Sequence, residues 1–293
     1  MIPRLNLPAN LKAVPGKRQP RAAYALPTFF TAVNMFLGYT AILKSYAGVV
    51  NLSERGAGPC PEFEQAAIMI GVAVVTDGID GRVARMTNTV SDFGREMDSL
   101  ADAITFGLAP AVLAFAWGVQ FVDASGNPFF REHLLQIGYF VSFLFMLCGA
   151  SRLARFNVTT NPIPKNPGRP DRKYFVGLPI PAAAGFVAAV VYALNADPIR
   201  WWIPSVLWLA LLALLSFLMV STWRYRSFKD LSLLRPRSPL FIILVASLVY
   251  LIIGYSKAMF VTMGLLYVGS GIVVRAGGIV RRYLRPHPEP HAT

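Results

Sequence analysis

The chain has 293 residues, of which 55% are hydrophobic and only 15% charged. A soluble globular protein carries about 25% charged residues, and a mean hydropathy of +0.49 excludes a water-soluble domain, a disordered chain and a disulfide scaffold alike. The net charge of +13 would suggest nucleic acid in a soluble protein, but in a membrane protein it is first a matter of topology.

In chain order, residues 1–21 are basic and contain prolines, with no apolar core or small-residue cleavage site after them, so they are expected to be a cytoplasmic N-terminal segment rather than a cleaved signal. About 20 apolar residues are needed for a helix to cross the hydrocarbon. Uncharged runs of that kind cover 22–43, 103–122, 133–151, 174–196 and 201–223. Two shorter runs, 240–256 and 258–274, meet at Lys257 and predict a tight helical hairpin. An eighth run, 65–76, is too short alone and must continue through the charged residues Asp77 to Arg85. The prediction is an all-α, polytopic membrane bundle of about eight transmembrane helices. A membrane domain over 22–285 would be followed by a disordered cytoplasmic tail at 286–293. Trp201, Trp202 and Trp223 bracket the sixth span as interfacial anchors. Cys60 and Cys148 form no motif and lie in different environments, so no disulfide between them is expected.

Eight spans put both termini on one side. That side collects 23 of the 28 Lys and Arg residues, including Arg152, Arg155, Arg224, Arg226, Arg281 and Arg282. The positive-inside rule makes it cytoplasmic, which is the inner-membrane face if the source is bacterial. The charge then needs no nucleic acid.

The short second run carries the chemistry. Asp77 and Asp80 are spaced i,i+3, and Asp98 and Asp102 i,i+4. Each pair therefore shares one helical face. A turn between the two helices brings four carboxylates toward the cytoplasmic mouth. Carboxylates at membrane depth are costly and usually functional, and four together repel one another unless cations neutralise them. Oxygen ligands with no Cys or His nearby favour Mg²⁺ or Mn²⁺, with Ca²⁺ a further option. Gly81 and Ala84 keep the helix surface low, and Arg85 offers a planar donor suited to phosphate. A hairpin whose acids merely pair with Arg82, Arg85 and Arg95 is the structural alternative. A divalent-cation transporter is the alternative from a different class, although transporters scatter their acids over several helices near mid-membrane.

The string Asp77-x2-Asp80-Gly81-x2-Ala84-Arg85-x8-Gly94-x3-Asp98-x3-Asp102 resembles the signature of the CDP-alcohol phosphatidyltransferases, without a gap. Residues 98–110, 151–157, 175–181 and 225–230 are similar to the phosphatidylserine synthase branch of that family. The resemblance implies six core helices around a polar cavity open to the cytoplasm, a homodimer and a divalent-metal requirement. It also implies transfer of a phosphatidyl group from CDP-diacylglycerol to the hydroxyl of L-serine, with release of CMP. Other members accept glycerol phosphate or inositol phosphate, acceptors that need a denser basic pocket. On this reading Asp77, Asp80 and Asp98 are metal ligands, and Asp102 is either a further ligand or the general base. Gly81, Ala84, Arg85 and Asn34 would face the CDP-lipid. Serine is a zwitterion whose carboxylate suits a cationic fork. Arg152 and Arg155, spaced i,i+3 at the end of the fourth span, and the adjacent Asn157 are the expected serine-binding residues.

Overall fold

The computed structural model describes residues 22–56, 58–87, 92–123, 128–160, 174–226, 256–273 and 275. Helix α1 (Ala22–Arg55) has 34 residues and so runs about 51 Å, well beyond the hydrocarbon thickness. The turn after it uses Gly56 and Gly58 at φ +85° and +114°, a backbone region that side chains disfavour. Helix α2 (Pro61–Thr87) then returns along α1, with proline at its first position, where no backbone donor is needed. Gly48 of α1 makes this approach possible, because a Cβ there would lie 2.6 Å from the Phe63 ring.

Helix α3 (Asp92–Asp102) continues without a break through a π-helical segment (Ala103–Leu108) into α4 (Ala109–Gly118). Together they form one apolar span, Phe93–Gly118. The third crossing therefore begins ten residues before the expected start at Ala103, and Asp98 and Asp102 lie within it. Helix α5 (Pro128–Thr160) follows, then α6 (Ile180–Ala193), α7 (Trp202–Val220) and α8 (Ser256–Val273). Among the described residues, four helices are long and apolar enough to cross a membrane: Phe93–Gly118, Phe129–Val158, Trp202–Val220 and Ser256–Val273. Seven of the eight expected runs fall on helices. The run 240–256 lies almost wholly outside the described residues, as do residues 1–21, the tail 286–293 and hence the first arm of the expected hairpin at Lys257.

The start of the run expected at 174–196 is not helical but pairs with the segment that follows the sixth run, in a short antiparallel ribbon. Strand β1 (Tyr174–Val176) pairs with β2 (Arg224–Arg226) in the register Tyr174↔Arg226, Phe175↔Tyr225 and Val176↔Arg224. The ribbon closes the chain at one end of the bundle, where Leu178 donates its backbone N–H to Leu218 at 3.0 Å. Gly177, at φ +79°, sits against the Met219 carbonyl, where any side chain would collide.

Small residues let the helices approach closely. Ala66, Ala67 and Ala73 of α2, Ala109 and Ala114 of α4, and Ala183 and Ala184 of α6 are all buried. Around them pack Ile70, Phe106, Leu113, Trp117, Phe145 and Leu212. Large apolar side chains such as Phe36, Phe140 and Leu207 face outward, as they do where lipid replaces water. The end opposite the ribbon is closed by polar contacts. Arg200 donates to the Gly56 carbonyl at 3.1 Å, and Asp123 N–H donates to the Arg200 carbonyl at 2.7 Å.

Candidate active site

Asp98 and Asp102 stand one turn apart on α3, and Asp77 reaches them from α2. Each offers a carboxylate oxygen, and the three oxygens lie within 4.8 Å of one another. An octahedral cation with ligands at about 2.1 Å separates neighbouring oxygens by about 3.0 Å and opposite ones by about 4.2 Å. The three acids therefore fit one hard divalent cation, and the absence of nitrogen or sulfur donors from the set suits Mg²⁺, Mn²⁺ or Ca²⁺ rather than zinc. Asp80, Gly81, Ala84 and Arg85 lie on the same helix as Asp77, but their side chains are outside the described residues.

A π-helical segment adjoins the acids. It begins one residue after Asp102 and packs on α1, where Thr105 donates its hydroxyl to the Asn34 carbonyl at 3.0 Å. Gly38 lies one turn from Asn34, and a Cβ there would meet the Thr105 Cα at 2.7 Å. Only glycine allows this contact. Asn34 is itself buried, and its Oδ1 meets no donor among the described residues. A buried amide oxygen in that state is costly without a partner, which fits the expected contact of Asn34 with a bound ligand.

The serine-binding candidates divide. Arg152 is half-buried, and its guanidinium lies near enough to Asp102 to attract that carboxylate. Its Nε meets no acceptor among the described residues. Arg155 is exposed and donates through Nη1 to the Val220 carbonyl at 3.0 Å, tying the end of α5 to the end of α7. Asn157, beyond the expected end of the fourth run at 151, lies in the last turns of α5, because that helix runs on to Thr160. Its Nδ2 donates to Ser99 Oγ at 2.8 Å, and Ser99 donates to the Arg95 carbonyl at 3.1 Å. The structure thus brings Arg152 to the acids, sets Asn157 against the acid-bearing helix and turns Arg155 toward α7.

Residue patterns alone did not single out Thr105, Gly38 or Ser99. A threonine, a glycine or a serine inside an apolar span is too common to stand out. Only the crossing of helices distant in sequence shows what each one meets.

A bundle of membrane-length helices that gathers carboxylates and a half-buried arginine defines an integral-membrane protein built around a polar, cation-compatible site. The CDP-alcohol phosphatidyltransferase profile matches residues 24–215, and the chain belongs to that family. Its third and fourth spans and the acid cluster lie inside the match, whereas α8 lies beyond it. The chain is 38% identical over 250 residues to the CDP-diacylglycerol–serine O-phosphatidyltransferase of Helicobacter pylori, covering 85% of this chain and 90% of that one. It is 33% identical to the Bacillus subtilis protein of the same name, over 57% of this chain and 77% of that one. It is also 37% identical to an archaetidylserine synthase of Methanothermobacter thermautotrophicus, over 55% of this chain and 54% of that one.

Proposed function

We propose that this enzyme transfers the phosphatidyl group of CDP-diacylglycerol to the hydroxyl of L-serine, giving phosphatidylserine and CMP. The near full-length identity to a transferase of that name carries the reading, and the convergence of Asp77, Asp98 and Asp102 supplies the chemistry. The serine oxygen forms a bond to the lipid-side phosphorus as the bond from that phosphorus to the CMP oxygen breaks, and the serine hydroxyl passes its proton to Asp102 or to water.

Asp77, Asp98 and Asp102 would hold the divalent metal on which the family generally depends, with Asp80 as a fourth ligand. When bound, that cation offsets the charge of the diphosphate and polarises nearby oxygens. The protein's own groups do the rest. The acids fix where the diphosphate docks. Gly81 and Ala84 leave room for the nucleotide, and Arg85 and Asn34 bind it. Arg152 orients serine through its carboxylate, and Asn157 and Arg155 shape the mouth of the acceptor site. Holding the hydroxyl beside phosphorus removes much of the entropic barrier to a bimolecular step. Asp102 contributes an oxygen to the same tight set as Asp77 and Asp98, which favours ligation as its main role over that of general base.

The basic end of the bundle, with the site, faces the cytoplasm, and the enzyme works as a homodimer. The charge asymmetry supports the first statement and the family resemblance the second. The deciding experiment mixes purified protein with CDP-diacylglycerol, Mn²⁺ or Mg²⁺ and one alcohol at a time, and follows CMP. Release with serine alone, abolished by chelation, is the expected result. Release with glycerol phosphate or inositol phosphate instead reassigns the acceptor, and no release with any alcohol returns the cation-transport reading.

A further inference from the structure

The last turns of α5 are held by polar ties more than by burial. Leu153 still packs on the core, but Ala154, Phe156 and Val158 beyond it are exposed. Helix α5 leans on the π-helical segment and on α7, and scarcely packs on α3. Two side-chain hydrogen bonds fix its end instead. Arg155 Nη1 reaches the Val220 carbonyl at the end of α7 at 3.0 Å. On the other side Asn157 Nδ2 reaches Ser99 Oγ on α3 at 2.8 Å. Ser99 follows Asp98 directly and precedes Asp102 by three residues, so it flanks the face that carries the acids.

We propose that Ser99 and Asn157 are positioning residues: their hydrogen bond sets the acceptor-binding end of α5 at a fixed distance from the acid-bearing helix. The inference rests on the reading of that end, with Arg152 and Arg155, as the acceptor side of the site. A serine hydroxyl has one proton to give and lone pairs to receive. Here the proton goes back one turn to the Arg95 carbonyl at 3.1 Å, which fixes the hydroxyl and leaves its lone pairs for the Asn157 amide. The tie is neutral, so it adds no charge beside Asp98 and Asp102. An acid at position 157 would add to their repulsion, and a lysine would compete with a cation for them. Asn157 thus serves the acceptor through Ser99, because its amide donor is already spent on the hydroxyl. A displacement of about 1 Å between a hydroxyl and the atom it attacks is enough to slow a positioned reaction strongly. Loosening this tie moves the acceptor relative to the acids while leaving the acids themselves in place on α2 and α3.

The test compares wild type, Ser99→Ala, Asn157→Ala, the double alanine variant and Ser99→Thr in the CMP-release assay, with serine, CDP-diacylglycerol and Mn²⁺ each varied in turn and the thermal midpoint measured in detergent. Either alanine should lower kcat/KM for serine roughly three- to tenfold, the scale of one hydrogen bond. The KM for CDP-diacylglycerol and the Mn²⁺ concentration for half activation should change little. The double variant should be no worse than either single one, because both remove the same tie. Ser99→Thr keeps the hydroxyl and should keep wild-type kinetics. A loss with Asn157→Ala but none with Ser99→Ala would show that the amide meets the acceptor itself and would overturn the proposal. So would additive losses, a parallel shift in the metal and CDP-diacylglycerol dependence, a lowered thermal midpoint with unchanged kinetics, loss of folded protein in the alanine variants, or a Ser99→Thr enzyme as impaired as Ser99→Ala. Wild-type protein that releases no CMP with serine overturns the underlying function instead, so the two failures are distinguishable.

Discussion

Asp98 is the sharpest residue to probe. It lies on a helix whose stability comes from packing and from the turns around it, and its carboxylate belongs to a set of three oxygens within 4.8 Å. Asp98→Asn keeps the shape and removes the charge. We expect insertion and folding to survive while CMP release falls at least about a thousandfold, the scale of several kcal/mol of metal-linked stabilisation. Size-exclusion behaviour beside activity checks this, and a parallel loss of folded protein would make the acid structural. The three described acids were legible from spacing, because i,i+3 and i,i+4 positions share a face whatever the rest of the chain does. The approach of Arg152 to Asp102 was not, because 50 residues and a loop separate them and no periodicity links one helix to another.

At the scale of elements, α1 meets the π-helical segment one turn from the acids, at Gly38 and Thr105. Gly38→Ala puts a methyl where the Thr105 backbone already lies. It should cost about 1–3 kcal/mol, as overpacking does, and should lower turnover as well, since Asp102 is three residues from Thr105. A lowered thermal midpoint with full activity would separate the contact from the site. The π-helical segment holds one residue more per turn than an α-helix. Deleting Ile104 should restore α geometry and turn Asp98 and Asp102 by about 100° relative to α4. An inserted but inactive protein is the expected outcome, and retained CMP release would show that the π turn does not aim the acids. The sequence foretold the span but not this segment, since Ala103–Leu108 reads as ordinary apolar helix. The segment packs against α1 and α5, contacts that its own residues do not announce.

At the scale of the molecule, the end of the bundle far from the acids is held by a polar clamp. Asn51 Nδ2 donates to Glu62 Oε1 at 2.7 Å, and Cys60 Sγ donates to Glu62 Oε2 at 3.2 Å. Burial pushes the Glu62 carboxyl up, but its backbone amide, these two donors and the charge of Arg55 outweigh that and hold it below the ordinary glutamate value. Burial, reinforced by Glu62, pushes the Cys60 thiol above its usual value, so it stays protonated and able to donate. A depressed carboxyl stabilises the fold above its unfolded value and loses that contribution as pH falls through the folded one. Thermal midpoints of the wild type should therefore drop in the acid range below the ordinary glutamate value, and Glu62→Gln should flatten that drop. Equal acid sensitivity in both proteins would remove Glu62 from the account. Both cysteines are free, as their separate environments implied.

The amino-acid sequence by itself determined the membrane class, the helical character of the chain and the acid pairs, because hydropathy and helical spacing are local properties that survive without knowledge of neighbours. Tertiary structure alone decided that Arg152 approaches Asp102 while Arg155 ties α5 to α7, that β1 pairs with β2, and that α8 packs on α6. Those outcomes depend on which small residues allow which helices to touch, and a contact between distant helices leaves no period in the chain from which it can be read.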